Sequence, residues 1–212
     1  DDVMQVELDA QGRAIVLATA SSAYSFHSGS LARVNIDGTL DLTFGTDGFV
    51  RLNTATSTNV PTSFTVQADG KLVAAGASYN GSNNDFALVR YNPDGSLDTT
   101  FSGDGKLTTA VGASNNYALS VTQQADGKLV ATARINSFNN YFNLLRYNAD
   151  GSLDTSFDGD GKLTTMIGTV SDYASSVIQQ TDGKLVAAGS SYNGNNYDFA
   201  LVRYNANGSL DT

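Results

Sequence analysis

Apolar and polar residues alternate along this chain in short runs, and no stretch carries apolar positions at helical spacing over a useful length. YALSVTQQ (117–124) alternates with a period of two. Asp126-Gly127 follows, a pair favoured in tight hairpins whose two turn positions need positive φ. KLVATA (128–133) returns, the loop INSFNN (135–140) comes next, and YFNLLRY (141–147) alternates again. A second Asp-Gly turn at Asp150-Gly151 leads into an extended segment, 152–157. Gly159-Asp160-Gly161 turns the chain once more, and KLTT (162–165) closes the unit. The pattern predicts a meander of about four strands, each roughly 20 Å long.

The same pattern recurs. RYNADGSLDTSFDGDGKLTT (146–165) and RYNPDGSLDTTFSGDGKLTT (90–109) differ at three positions. A looser copy, RVNIDGTLDLTFGTDGFVRL, occupies 33–52, and a fourth begins at RYNANGSLDT (203–212). Three markers keep step: Gly12, Gly70, Gly127 and Gly183; Arg33, Arg90, Arg146 and Arg203; Gly38, Gly95, Gly151 and Gly208. Every interval is 56 to 58 residues. A lone meander would leave an apolar face wet, so such units must stack on their neighbours. Propeller blades are four-stranded sheets arranged radially, and a step near 57 residues suits a blade with long loops. The expected class is therefore all-β: a β-propeller or propeller-like array of four-stranded antiparallel blades, with a sandwich of paired units as the alternative.

The expected organisation is a single repeat domain over 1–212. Its units run approximately over 1–58, 59–115, 116–171 and 172–212, the last incomplete. The chain opens at the first strand of a unit and stops after GSLDT. This phase suggests a stretch of a longer array; closure as four blades, or association of two copies into one ring, are the alternatives.

The strings DGSLDTTFSGDGKLTT, QADGKLVAAG and FALVRYN together resemble the delta-60 family of bacterial repeats. That resemblance implies tandem units in large surface or secreted proteins, arranged as propellers. It implies no catalytic residue.

Charge narrows the partners. A net charge of −9 argues against nucleic acid, which needs clustered Lys and Arg, and against anionic membrane surfaces. With no cysteine there is no disulfide framework, thiolate zinc site or cysteine nucleophile. No apolar run approaches the length of a membrane span.

Four sets of residues are candidates for chemistry. Asp98, Asp104, Asp154, Asp158 and Asp160 lie in acidic Gly-rich turns that could offer oxygens to Ca²⁺; the competing reading makes them turn caps or arginine partners. The recurring Arg33, Arg90, Arg146 and Arg203 could bind an anion or pair with aspartates. The loops between second and third strands carry Tyr79, Asn80, Asn83, Asn84, Asn139, Asn140, Tyr141, Tyr192, Asn195, Asn196 and Tyr197. They suit a glycan or a weakly bound surface protein; otherwise they are solvated turns. His27 is the lone histidine, and no G-x-S-x-G elbow accompanies it.

The functional expectation is a non-catalytic extracellular or cell-surface structural or adhesion domain, acting as scaffold or self-associating segment. The alternatives are a carbohydrate- or protein-binding propeller using the Asn/Tyr loops, and a propeller-frame hydrolase or lyase.

Overall fold

The computed structural model of the chain describes residues 2–20, 28–52, 60–136, 141–168 and 171–212. Among them there are fifteen strands and no helix. The fold is all-β and propeller-like, built from four separate antiparallel sheets. The first sheet is the meander β1 (Asp2–Leu8), β2 (Ala14–Ala20), β3 (Ser28–Val34) and β4 (Phe49–Arg51). The second is β5 (Val60–Val66), β6 (Leu72–Tyr79), β7 (Asn84–Tyr91) and β8 (Lys106–Thr109). The third is β9 (Asn116–Gln123), β10 (Leu129–Ile135), β11 (Phe142–Tyr147) and β12 (Lys162–Thr165). The fourth has three strands, β13 (Asp172–Gln179), β14 (Leu185–Tyr192) and β15 (Tyr197–Tyr204). The chain divides into two compact units, Asp1–Thr109 and Ala110–Thr212, with two sheets in each.

Within each unit the sheets bury apolar faces against each other. In the first, Leu17 and Leu31 of β2 and β3 join Phe44, Phe64 and Leu72 in one core. In the second, Val130, Phe142 and Leu144 meet Val177, Leu185 and Tyr204. At the outer strand the sheets differ. Phe86 and Phe142 sit beside a fourth strand and are fully buried, whereas the corresponding Phe199 on β15 is 78% exposed.

Two details of turn chemistry depart from the sequence reading. Asp-Gly predicts a two-residue hairpin with both residues at positive φ, yet only the glycines take it, at 81° to 86° for Gly70, Gly127 and Gly183. Gly127 N–H donates to Gln124 O (2.9 Å) and Gln124 N–H to Lys128 O (2.8 Å). This is a three-residue loop, a tight turn closed by a left-handed glycine. Asp126 keeps ordinary φ because its carboxylate accepts the Lys128 N–H (3.1 Å). The second correction is at 152–157, expected to be extended. It makes one bridge, Tyr147 to Leu153, and then turns.

The cause of that turn is an arginine. Arg146 O accepts the Asp154 N–H (2.9 Å), and Arg146 Nε donates back to Asp154 Oδ2 (2.7 Å). Lys128 Nζ reaches the same oxygen (2.9 Å), while Ser156 N–H and Oγ–H fill Oδ1. The guanidinium lies over Phe157, 4.4 Å from the ring centre, and Nη1 donates to the carbonyl of Ala206 in the next sheet. The first sheet repeats the set: Arg33 with Asp41 (2.8 Å), Phe44 (4.6 Å) and the carbonyl of Pro93 in the second sheet. Arg90 pairs with Asp98 (2.6 Å) over Phe101, and Arg203 with Asp211. Of the five aspartates that looked like calcium ligands, Asp98 and Asp154 are thus arginine and lysine partners.

These contacts set the carboxyl groups' acidity. Burial works to raise Asp98 and Asp154. Hydrogen bonds from Thr100 and Lys71, and from Ser156 and Lys128, together with Arg90 and Arg146, outweigh it and hold both well below the usual range. Thr43 hydrogen bonds, joined by Arg33, bring Asp41 down to about 2.

Removing Asp154 leaves Arg146, only 4% exposed, without its carboxylate. Asp154→Ala is expected to destabilise by about 3 kcal/mol or more. Asp158→Ser, which copies Ser102 of the second sheet at the same left-handed turn position, should stay within about 0.5 kcal/mol. Urea unfolding measures both. Because the folded-state pKa values are depressed, this stabilisation is complete above the unfolded value of about 3.8 and is lost as pH falls through the folded ones. The melting temperature should therefore drop between about pH 4 and pH 2, and Asp98→Asn with Asp154→Asn should flatten that slope.

Candidate functional site

The loops between second and third strands carry their own hydrogen bonds. Asn80 Oδ1 accepts the N–H groups of Ser82 (2.9 Å) and Asn83 (3.0 Å), and its Nδ2 donates to Asn83 Oδ1 and to Asp85 Oδ2 (2.9 Å). Asn193 does the same with Asn195, Asn196 and Asp198. Tyr79 O–H donates to Gly81 O (2.8 Å), and Asn84 pairs with Tyr79 at the head of β7. The side chains of Asn80, Asn83, Asn193 and Asn196 thus serve to close their own turns, and Asn195 joins through its backbone N–H. Tyr141 precedes β11 and its carbonyl accepts from Asn143 (2.8 Å). Asn139, Asn140 and His27 lie outside the described residues.

The second unit gathers aromatic rings at its loop end. Tyr192 and Tyr197 face each other across the β14–β15 hairpin, with ring centres 5.2 Å apart and planes tilted by 56°. Tyr173, near the start of β13, stands 5.9 Å from Tyr197. Arg134, exposed near the end of β10, places its guanidinium 5.2 Å above the Tyr173 ring. The result is a row of one cation and three phenols, with Tyr197 52% exposed.

Two buried contacts hold this row. Asp172, 1% exposed, accepts N–H bonds from Ile167 (2.8 Å) and Gly168 (3.1 Å), pinning that segment beside β14. Gly189 lies so close to β13 that an added Cβ would stand 1.7 Å from Tyr173 O. Strand β13 also has a bulge between Ala174 and Ser176, which twists the strand just after Tyr173. A hydrogen bond with Tyr173 raises the Tyr197 phenol above its ordinary range.

Tyr192 and Tyr197 were legible as candidates; Tyr173 and Arg134 were not. The available signal was Tyr117, which occupies the Tyr173 position in the preceding repeat. The five aspartates of the calcium reading do not come together. Asp98 and Asp154 hold cations, and Asp104 and Asp160 accept the N–H groups of Lys106 and Lys162 (both 2.9 Å). Asp158 sits at φ 51° and its own N–H donates to Asn207 O. Among the described residues no three acidic, histidine or cysteine side chains converge as metal ligands. No helix among them is long and apolar enough to cross a membrane.

A sequence profile for a domain of unknown function, DUF5122, described as a β-propeller, matches residues 67–101, 124–157 and 180–212. The chain is thus a repeat protein of propeller type. No curated protein matches it. Among solved structures, a protein of unknown function from Dyadobacter fermentans is 10% identical at TM-score 0.60, over 97% of this chain and 62% of its own. The periplasmic gluconolactonase of Pseudomonas aeruginosa is 18% identical at TM-score 0.54, over 92% and 55%. A PL25 polysaccharide lyase, an ulvan lyase bound to a GlcA–Rha3S saccharide, is 9% identical at TM-score 0.57, over 95% and 55%. The chain spans 55% to 62% of the length of these structures.

At such identities the likeness is one of fold. It is nonetheless a fold shared with enzymes, and this overturns the expectation of a non-catalytic structural or adhesion domain. That expectation rested on the repetition of blades, and repeated blades also form the frames of a lactonase and a lyase.

Alkaline titration followed by tyrosinate absorbance should show late-ionising phenols above the ordinary value of about 10. Tyr197→Phe should remove one of them, and Tyr173→Phe should bring Tyr197 back toward the ordinary range.

Proposed function

We propose that this chain belongs to a propeller-frame hydrolase or lyase acting on a saccharide or sugar-derived substrate, and that the row Arg134–Tyr173–Tyr197–Tyr192 holds the sugar. The row itself carries the reading. A sugar ring has an apolar C–H face that packs on aromatic rings and a hydroxyl rim that needs donors and acceptors. Three tilted phenols present faces and hydroxyls together, and Arg134 adds a cation at one end. The Asn-closed loops give the row a rigid setting, so little ordering accompanies binding.

The neighbours support the chemistry proposed. One is named for a sugar lactone and another is bound to an acidic saccharide. An extracytoplasmic location goes with the reading, supported by the periplasmic lactonase. The delta-60 type of repeat belongs to it too, on the strength of the GSLDT and GDGKLTT strings.

The test uses gluconolactone, neutral oligosaccharides and ulvan oligosaccharides. Lactone opening is followed by acid release, new reducing ends by a colour assay, and elimination by absorbance of the unsaturated product. One of these should show turnover, and Tyr197→Ala should lower kcat/KM by about tenfold or more. The chain has ten tyrosines and no tryptophan, so sugar binding should also appear as a change in tyrosine fluorescence. Binding without turnover would retire the enzymatic reading. Silence in every assay, or an unaltered Tyr197→Ala, would retire the tyrosine row as the sugar site.

A further inference from the structure

The first unit holds a cavity of about 830 Å³ that the tyrosine row does not touch. It lies between β4 with the turn before it and the 91–106 stretch of the second sheet. Its walls include Phe49 and Leu97, which are 45% and 38% exposed, and the buried Tyr91. Ser30 and Thr46 bring hydroxyls, and Arg51 and Lys106 bring positive charge. That size suits a small ligand.

The two cations stand out against the rest of the chain. Of twelve Lys and Arg residues, eight are ion-paired to aspartates among the described residues. Arg134 lies over Tyr173, and Lys162 donates to the carbonyl of Ala110 (3.3 Å). Arg51 and Lys106 remain, the two basic side chains without a partner among the described residues, and both line this one cavity. Asp47 is the single acid of the lining, so the wall is net positive in a chain of net charge −9. An anion is repelled by most of this surface and drawn to this part of it.

The repeat pattern sharpens the point. Where the second and third units read Lys-Leu-Thr (106–108 and 162–164), the first reads Phe49-Val50-Arg51. The departures put a phenyl face and a guanidinium in the cavity wall. In the repeats' own form these positions would be Lys and Thr. The irregular first copy is thus irregular where the cavity is.

We infer that this cavity binds a carboxylate-bearing sugar ring, a hexuronate or a saccharide ending in one. Arg51 and Lys106 take the carboxylate, Phe49 packs on the C–H face, and Ser30 and Thr46 meet the hydroxyl rim. The site stands in a different unit from the tyrosine row and holds whether or not that row binds sugar.

Calorimetric titration with sodium glucuronate, glucose, sodium benzoate and sodium acetate tests it. Glucuronate should bind and the others should bind at least about tenfold more weakly, since each lacks either the charge or the hydroxylated ring. Arg51→Gln and Lys106→Gln should each weaken glucuronate by about tenfold or more, and Arg51→Lys should restore part of the loss. The titrations are repeated in the Tyr197→Ala background, which removes the tyrosine row's own sugar binding, and the same order of ligands and variants should hold there. Arg51 is exposed, so its variants should keep the wild-type melting temperature. No glucuronate binding by the wild type, equal binding of acetate, benzoate or glucose, or full affinity in the double glutamine variant would each overturn the assignment.

Discussion

The fold of each unit turns on a buried guanidinium. A blade of this kind reverses direction between its third and fourth strands around a buried aspartate and phenylalanine, Asp154 and Phe157 in the third sheet, and a buried carboxylate needs partners. Arg146 supplies several at once: its carbonyl takes the Asp154 N–H, its Nε takes the carboxylate, and its planar face covers Phe157. The same side chain then crosses to the neighbouring sheet and ends on a backbone oxygen. Turn shape, core closure and sheet-to-sheet attachment therefore share one residue. A lysine could not replace it, because a point charge has neither the fork nor the flat face. It serves instead as the second cation on the same carboxylate, as Lys128 does.

That rigid frame leaves the loop ends free to differ. The Asn80 and Asn193 turns close on themselves by nearly identical bonds, yet what stands beside them is not the same. The Tyr197 position of the fourth sheet is Asn84 in the second, and the fourth adds Tyr173 from its first strand where the second has no tyrosine. The site thus arises from departures of single residues against a constant background. The cavity of the first unit has a similar origin, in Phe49 and Arg51.

The strands, their order and the blade-like sheets could be read from periodicity, because side chains alternate and turns carry glycine. What could not be read was where polar side chains point. Asp154 and Asp160 occupy equally glycine-rich surroundings, but one is buried against Arg146 and Lys128 and the other caps a backbone N–H at the surface. Their spacing allowed a cation loop as well as turn caps and arginine pairs, and spacing alone does not say which aspartate takes which role. The asparagines show the same ambiguity. Asn80, Asn83 and Asn196 could equally serve a ligand or a turn by sequence, and in the fold their amides bond within their own turns. Tyr173 escaped notice because its partners come from a hairpin about twenty residues on, a proximity that only strand register creates.

The arginine's last contact has an evolutionary side. Arg33 ends on the carbonyl of Pro93 and Arg146 on that of Ala206, one a cyclic imino acid and the other a methyl group. What is recognised is peptide oxygen, which every amino acid owns. A neighbouring blade can drift in sequence at that point without loosening its attachment, and a freshly duplicated segment would dock on arrival with no compensating change. A gene built from such modules can lengthen by copying first and specialise afterwards.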